Sequence, residues 1–251
     1  MISKANLNHR FWKRLLLLTA AWVASYGGTY LILKFLGIAE EAYSNLIINS
    51  VFLFSCLCCT RLLGLSVEDL GLKIIRQRFA LHVGLCLAIF IMYWLYYLFV
   101  VRISGIYSFT SAVLWGLLNY LVVAFAEEIY FRGIYYHLIE MRTSGRTAVI
   151  ITGLLFGLLH FRQGLGMLPK FFTGWLWGSV RYATGMIILL IPIHFTYNAI
   201  WLLFQGNWDN PPAWAYLLPL VESLLAILIV ARFKNATNLT EIGKSSAEVV
   251  L

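Results

Sequence analysis

Three ionisable side chains fall within six residues in the stretch Ala126-Glu127-Glu128-Ile129-Tyr130-Phe131-Arg132-Gly133, directly after the apolar run 109–125. An acidic or basic group at the centre of a membrane helix costs about 2.5 to 3.5 kcal/mol on insertion scales, so a chain that keeps three together has a use for them. In a helix Glu128 and Arg132, four apart, share a face as an ion pair, in a role that is structural or functional. Glu127 points about 100° away from Glu128 and is left for other work. Two more polar sets follow in apolar surroundings. His160 closes the string Phe156-Gly157-Leu158-Leu159-His160, and His194-Phe195-Thr196-Tyr197-Asn198 sets a second imidazole and a carboxamide four residues apart on one helix face. A carboxylate beside an imidazole takes a proton from a water held between them. A histidine with an asparagine offers donors to a developing oxyanion. Together these groups suit hydrolysis of an amide in a water-poor site. No nucleophile for an acyl-enzyme stands out: no Gly-x-Ser-x-Gly occurs, and Cys56, Cys58, Cys59 and Cys86 all precede the polar sets.

Such groups need a membrane bundle to position them. Hydrophobic residues make up 61% of the 251-residue chain and charged residues 12%, which excludes a soluble domain of this size. Apolar runs close to the ~20 residues that cross a bilayer recur along the whole length. The expected fold is all-α: a polytopic membrane protein of about eight transmembrane helices with its active site within the helix bundle. Spans are expected near 15–36, 45–65 and 79–101, from 108 past Arg132 to Glu140, then near 147–161, 170–182, 186–204 and 214–233. Pro192 reads as a kink in the seventh. Ser66 reads as the N-cap of a short interfacial helix. Gly174 and Gly178 read as a small-residue face for close packing or dimerisation.

Thr143-Ser144-Gly145-Arg146 turns the chain between the fourth and fifth spans. Measured from that turn, Glu127 and His160 lie at matching depths, roughly 20 to 25 Å along antiparallel helices at 1.5 Å per residue, and are expected to face one another. Asn119, eight residues before Glu127, belongs to the same face or bonds a neighbouring helix. His82 and His137 read as structural or interfacial.

A single domain is expected over 15–233, with its motif-bearing core at 108–204, a cytoplasmic N-terminal stretch 1–14 and a cytoplasmic tail 234–251. The net charge of +8 does not point to nucleic acid, because the basic residues cluster in the ends and connections of spans. Eight spans put both termini on one side. That side also collects Lys73, Arg76, Arg78, Arg142 and Arg146, whereas the other holds Lys34, Arg102, Arg162 and Lys170. The positive-inside rule then puts both termini in the cytoplasm. The expected location is a bacterial cytoplasmic membrane, crossed several times. The cysteines have no His or acidic neighbour in sequence and read as packed or lipid-facing thiols. The absence of an internal repeat disfavours a transporter.

At its polar sets the sequence resembles the CAAX-protease and bacteriocin-processing (CPBP) family of intramembrane proteases, which includes the Ras-converting CAAX endopeptidase. The family pattern has three parts: E-E-x-x-x-R, F-x-x-x-H, and H-x-x-x-N or D. Here they are Glu127-Glu128-Ile129-Tyr130-Phe131-Arg132, Phe156-Gly157-Leu158-Leu159-His160 and His194-Phe195-Thr196-Tyr197-Asn198, in order on three successive apolar regions. Each is weak alone, and the three together in an eight-span chain are specific. The resemblance implies a glutamic-type protease in which Glu127 and His160 activate water, His194 and Asn198 bind the oxyanion, and Glu128 and Arg132 shape the site. It implies a cavity open toward the cytoplasmic side and a metal-free mechanism, hence no cofactor, although Glu127, His160 and His194 are residue types that ligate zinc. The expected partners are the lipid bilayer and a membrane-associated or lipidated protein or peptide, with no nucleic acid. A prenylated C-terminal CaaX protein, a bacteriocin-type leader and a C-terminal sorting signal all fit as substrates. Two other classes compete. A non-catalytic scaffold or chaperone of the same fold would be marked by a broken motif, and a proton-coupled carrier would use Glu127 and His160 as a relay.

Overall fold

A lipid-facing backbone has no water to bond, so spanning segments must satisfy their own amides, and helices do that within one segment. The computed structural model describes residues 4–41, 43–161, 167–206, 217–233 and 235. Helix α1 (Lys4–Val23) passes through a π-helical turn, Ala24–Gly28, into α2 (Thr29–Phe35). Next come α3 (Ser44–Leu62) and α4 (Arg76–Tyr96), the latter closed by a π-helical turn, Tyr97–Val101. Helix α5 (Ser111–Glu127) widens into a π-helical segment, Glu128–Tyr135, and continues as α6 (Tyr136–Arg142). Then follow α7 (Gly145–Leu159), α8 (Met167–Thr184), α9 (Leu190–Leu203) and α10 (Leu218–Arg232).

The protein is therefore an all-α, polytopic membrane protein, and its described residues form eight helical rods. Four stretches are long and apolar enough alone to cross a membrane: Phe11–Phe35, Ser44–Leu62, Arg76–Val101 and Ser111–Arg142. Helices α7 and α9 are shorter apolar helices. The sheet among the described residues is one antiparallel pair, β1 (Gly105–Ile106) with β2 (Phe204–Gln205), Gly105 lying opposite Gln205.

Hydrogen bonds gather the connections into two groups, one at each end of the bundle. At one end the α3–α4 connection packs on the α8–α9 connection. Ile187 N–H donates to the Gly71 carbonyl at 2.8 Å, Arg181 Nη2 donates to the Asp69 carbonyl at 2.8 Å, and Arg78 donates to the carbonyl of Ala183. His82 is structural, as expected. Its Nε2 accepts from Leu189 N–H at 3.3 Å, so Nδ1 carries the proton and donates to Thr184 Oγ1 at 3.1 Å. At the same end Asn235 Nδ2 donates to Glu140 Oε1 at 2.6 Å, holding the start of the tail beside the α6–α7 turn. At the other end β1 and β2 join the α4–α5 link to the α9–α10 link.

Two local expectations change. Pro192 does not kink a helix, because α9 starts at Leu190 and a proline in the first turn removes an amide that has no intrahelical partner. Ser66 caps a turn rather than a helix. Its N–H and hydroxyl donate to Asp69 Oδ2 at 2.8 and 2.7 Å, Asp69 N–H donates back to Ser66 Oγ at 3.1 Å, and the chain reverses at Gly71 with φ +73°. Gly71 is required there: the left-handed backbone disfavours a side chain, and an added Cβ would lie 2.7 Å from Arg181 Cζ.

The Gly174/Gly178 face serves internal packing. A Cβ on Gly174 would come within 2.8 Å of Gly153 Cα, so α7 and α8 touch backbone to backbone, while Gly178 faces Val149. Gly174→Ala should force the two helices apart at a cost of about 1–3 kcal/mol, the usual price of overpacking, read as a lower Tm in detergent. A second expectation concerns the turn. Burial pushes the Asp69 carboxyl up, but the Ser66 amide and hydroxyl, with His137 and Arg181 nearby, outweigh it and hold it below the ordinary carboxylate range. A depressed folded value stabilises above the unfolded value of about 3.9 and the gain is lost as pH falls. The Tm gap between wild type and Asp69→Asn should therefore shrink as pH is taken from 7 toward 3.

Candidate active site

Glu127 lies sixteen residues past Ser111, about 24 Å along the helix and so near the middle of the bundle. It stands on the floor of a cavity of about 930 Å³ that Glu127, His160, His194 and Asn198 all line. The volume is at the upper end of the roughly 300–1,000 Å³ of ligand cavities. The wall climbs through Asn119, Tyr120 and Trp201 to Asn45, Lys170 and Leu218 at the helix ends beside the β1–β2 pair. Asn119 does both things expected of it: it lines the cavity, and its Oδ1 accepts from Asn49 Nδ2 at 2.8 Å. Lys170 rests its Nζ 4.8 Å from the centre of the Tyr197 ring.

Beneath the floor sits a buried charged cluster. Glu128 and Arg132 are both fully buried. Arg132 Nη1 donates to Glu128 Oε1 at 3.2 Å, the expected ion pair. The same oxygen accepts from His194 Nδ1 at 2.9 Å, and because a carboxylate only accepts, Nδ1 carries the proton. That leaves His194 Nε2 toward the cavity, 3.6 Å from Glu127 Oε2. The guanidinium of Arg132 lies 4.2 Å from the centre of the Phe156 ring and 5.3 Å from that of Trp177, so aromatic faces stand where water would have been. Phe156 packs on His160 as well, with ring centres 5.0 Å apart, which gives the phenylalanine of the F-x-x-x-H string a physical purpose.

Here the geometry departs from the reading of an ideal helix. Glu127 and Glu128 flank one imidazole instead of diverging. The backbone widens into π-helix at Glu128, and the larger turn brings successive side chains closer in angle. His160 ends α7, and its Nδ1 donates to the Phe156 carbonyl at 2.8 Å, leaving Nε2 for the cavity. No ion pair joins Glu127 to His160 among the described residues. They share the cavity, and the imidazole nearest the carboxylates belongs to His194. Asn198, one turn beyond His194 on α9, lines the same space. Among the described residues no three His, Cys, Asp or Glu side chains are grouped to hold a metal ion.

Residues 109–200 match the family described as Type II CAAX prenyl endopeptidase Rce1-like. The matched stretch contains Glu127, Glu128, Arg132, His160, His194 and Asn198. Over that stretch the chain is similar to the CAAX-protease family. No curated protein matches the chain.

One further layer reaches outside the matched residues, to Tyr93 and Glu222. Glu222 on α10 is buried at 1% exposure. It accepts from Tyr93 Oη at 2.6 Å and from Thr173 Oγ1 at 2.9 Å. Trp177 Nε1 donates to Tyr93 Oη at 3.2 Å, and the Trp177 ring stands edge-on to His194 with centres 4.7 Å apart. A carboxylate on the last helix thus anchors the tryptophan that backs the His194 imidazole. Motif spacing does not reach Glu222, but a lone carboxylate in an apolar run is the signal that finds it. Glu222→Ala should orphan the buried Tyr93 hydroxyl, whereas Thr173 Oγ1 keeps the Pro169 carbonyl at 3.2 Å, and should cost about 1–3 kcal/mol, seen as a lower Tm. Glu222→Gln keeps an acceptor and should lose less.

Proposed function

We propose that the protein is an intramembrane endopeptidase that hydrolyses a peptide bond of a membrane-associated or lipidated protein or peptide with water activated by Glu127. The observation that carries this reading is Glu127 Oε2. It is a buried carboxylate oxygen with no hydrogen-bond partner, 3.6 Å from His194 Nε2, on the floor of a cavity that also holds His160 and Asn198. The separation is too long for a direct hydrogen bond, which in this reading leaves the carboxylate to act on a water in the cavity.

In the proposed reaction Glu127 takes a proton from that water as the water oxygen bonds to the carbonyl carbon of the substrate, with His160 as its partner in activation. The carbonyl π electrons move onto its oxygen, and in the proposal the resulting oxyanion is held by the Asn198 amide N–H and by His194 donating from Nε2 with a proton on both ring nitrogens. Collapse of this intermediate breaks the C–N bond, and the proton on Glu127 passes to the leaving nitrogen. Glu128 and Arg132 fix the His194 ring by the shared Glu128 oxygen. The side chains supply the base and the donors without a cofactor. A scaffold of the same fold would be free to lose these side chains, and every one of them is present.

Glu127→Gln, nearly isosteric, should reduce cleavage by about 10² to 10⁴-fold at unchanged Tm, the usual size of a general-base contribution. His160→Ala should lose a similar part. A terminal-peptide comparison of cells carrying wild type or Glu127→Gln at matched levels would read this as new peptide ends present with wild type alone. Undiminished cleavage by Glu127→Gln sinks the reading.

A further inference from the structure

The cavity is one-ended, and the two ends of the bundle differ in charge. Its lining comes from the last halves of α4 and α7, the first parts of α3, α8 and α10, α5 from Asn119 to Glu127 and α9 from His194 to Trp201, and it reaches the helix ends themselves at Asn45, Leu218 and Phe161. All of those ends lie where β1 pairs with β2. Toward the other end the lining stops at Glu127, Trp177 and His194. Beyond them Phe131, Ile134 and Val180 are fully packed, at 0–3% exposure. The mouth therefore belongs to the β1–β2 end.

The basic residues gather at the opposite end. Lys73, Arg76, Arg78, Arg142 and Arg146 stand on or beside the connections that are tied together there, and the chain leaves α10 at that end through Arg232. At the mouth end the basic residues of the described chain are Lys34, Arg102 and Lys170. Connecting segments rich in Lys and Arg stay on the cytoplasmic side of a membrane. A cytoplasmic mouth and a cytoplasmic N-terminus, both expected above, exclude one another in this bundle, and the charge distribution decides between them.

We propose that the cavity opens on the face of the membrane away from the cytoplasm, so that its substrate is a polypeptide segment already exported to, or exposed on, that face. The second half of this statement rests on the protease reading, and the first half does not. It sets the substrate apart from a lipidated protein tail held at the cytoplasmic surface, because no part of such a tail reaches the mouth. It favours a peptide or a membrane-protein end that a translocation system has delivered.

The test uses the full chain in a bacterial host, with Cys56, Cys58, Cys59 and Cys86 replaced by serine or alanine. Ser108→Cys marks the mouth end and Ser144→Cys the other end, and both positions are exposed. A membrane-impermeant maleimide added to right-side-out vesicles should label Ser108→Cys and spare Ser144→Cys, and inverted vesicles should reverse the pattern. Ser144→Cys labelled in right-side-out vesicles, or Ser108→Cys labelled only in inverted ones, overturns the proposal. If neither cysteine reacts, a C-terminal alkaline phosphatase fusion reads the side of the tail. It should be inactive, and activity overturns the proposal. Labelling needs no catalysis and Glu127→Gln needs no orientation, so the two proposals can fail separately.

Discussion

The interior of this bundle is arranged around one shared oxygen. Glu128 Oε1 receives both Arg132 Nη1 and His194 Nδ1 in a place without solvent. Burying charges there costs several kcal/mol per ion, and only close pairing with good geometry repays it. The consequence reaches across the fold. Arg132 comes from the π-helical segment after α5, His194 from α9, Phe156 from α7 and Trp177 from α8, and all of them must be in register for the charges to be paired and covered. Moving any one helix would expose or orphan a charge. The cluster therefore acts as a register lock on four helices, and the catalytic proposal draws on that rigidity, since Glu127 is carried on the same backbone.

The Gly153–Gly174 contact supplies the second half of the positioning. Backbone approach between α7 and α8 brings Phe156 and Trp177, one from each helix, onto the same guanidinium. Larger residues at that crossing would widen it and leave Arg132 with a gap where an aromatic face should be. The aromatic side chains thus do the work of solvent, and the glycines let them get there.

Much of this was legible in the residues themselves. Polar groups in apolar runs are expensive, so Glu127, Glu128, Arg132, His160, His194 and Asn198 stand out, and hydropathy alone outlines the rods that carry them. The failures have local physical causes. The π-helix at Glu128 leaves no mark in composition, because any α-helical sequence adopts it when packing demands, and it changed which imidazole the carboxylates meet. The partners of Glu222 come from α4 and α8, too distant in sequence for any spacing rule. Pro192 and Ser66 were given the right chemistry in the wrong place, each by a few residues at an element boundary. The orientation of the cavity needed both kinds of information: charge from the sequence and the closed end from the packing.

That closed end has a bioenergetic meaning. A water-accessible cavity reaching the middle of a membrane halves the thickness of the insulating layer, and what remains must still hold back ions. Here the remaining half is filled by fully buried side chains such as Ile134, Phe131 and Val180 beneath the cluster. The described residues form a cup and not a pore. Water can be admitted to a carboxylate deep in the bundle while the membrane stays sealed against leak.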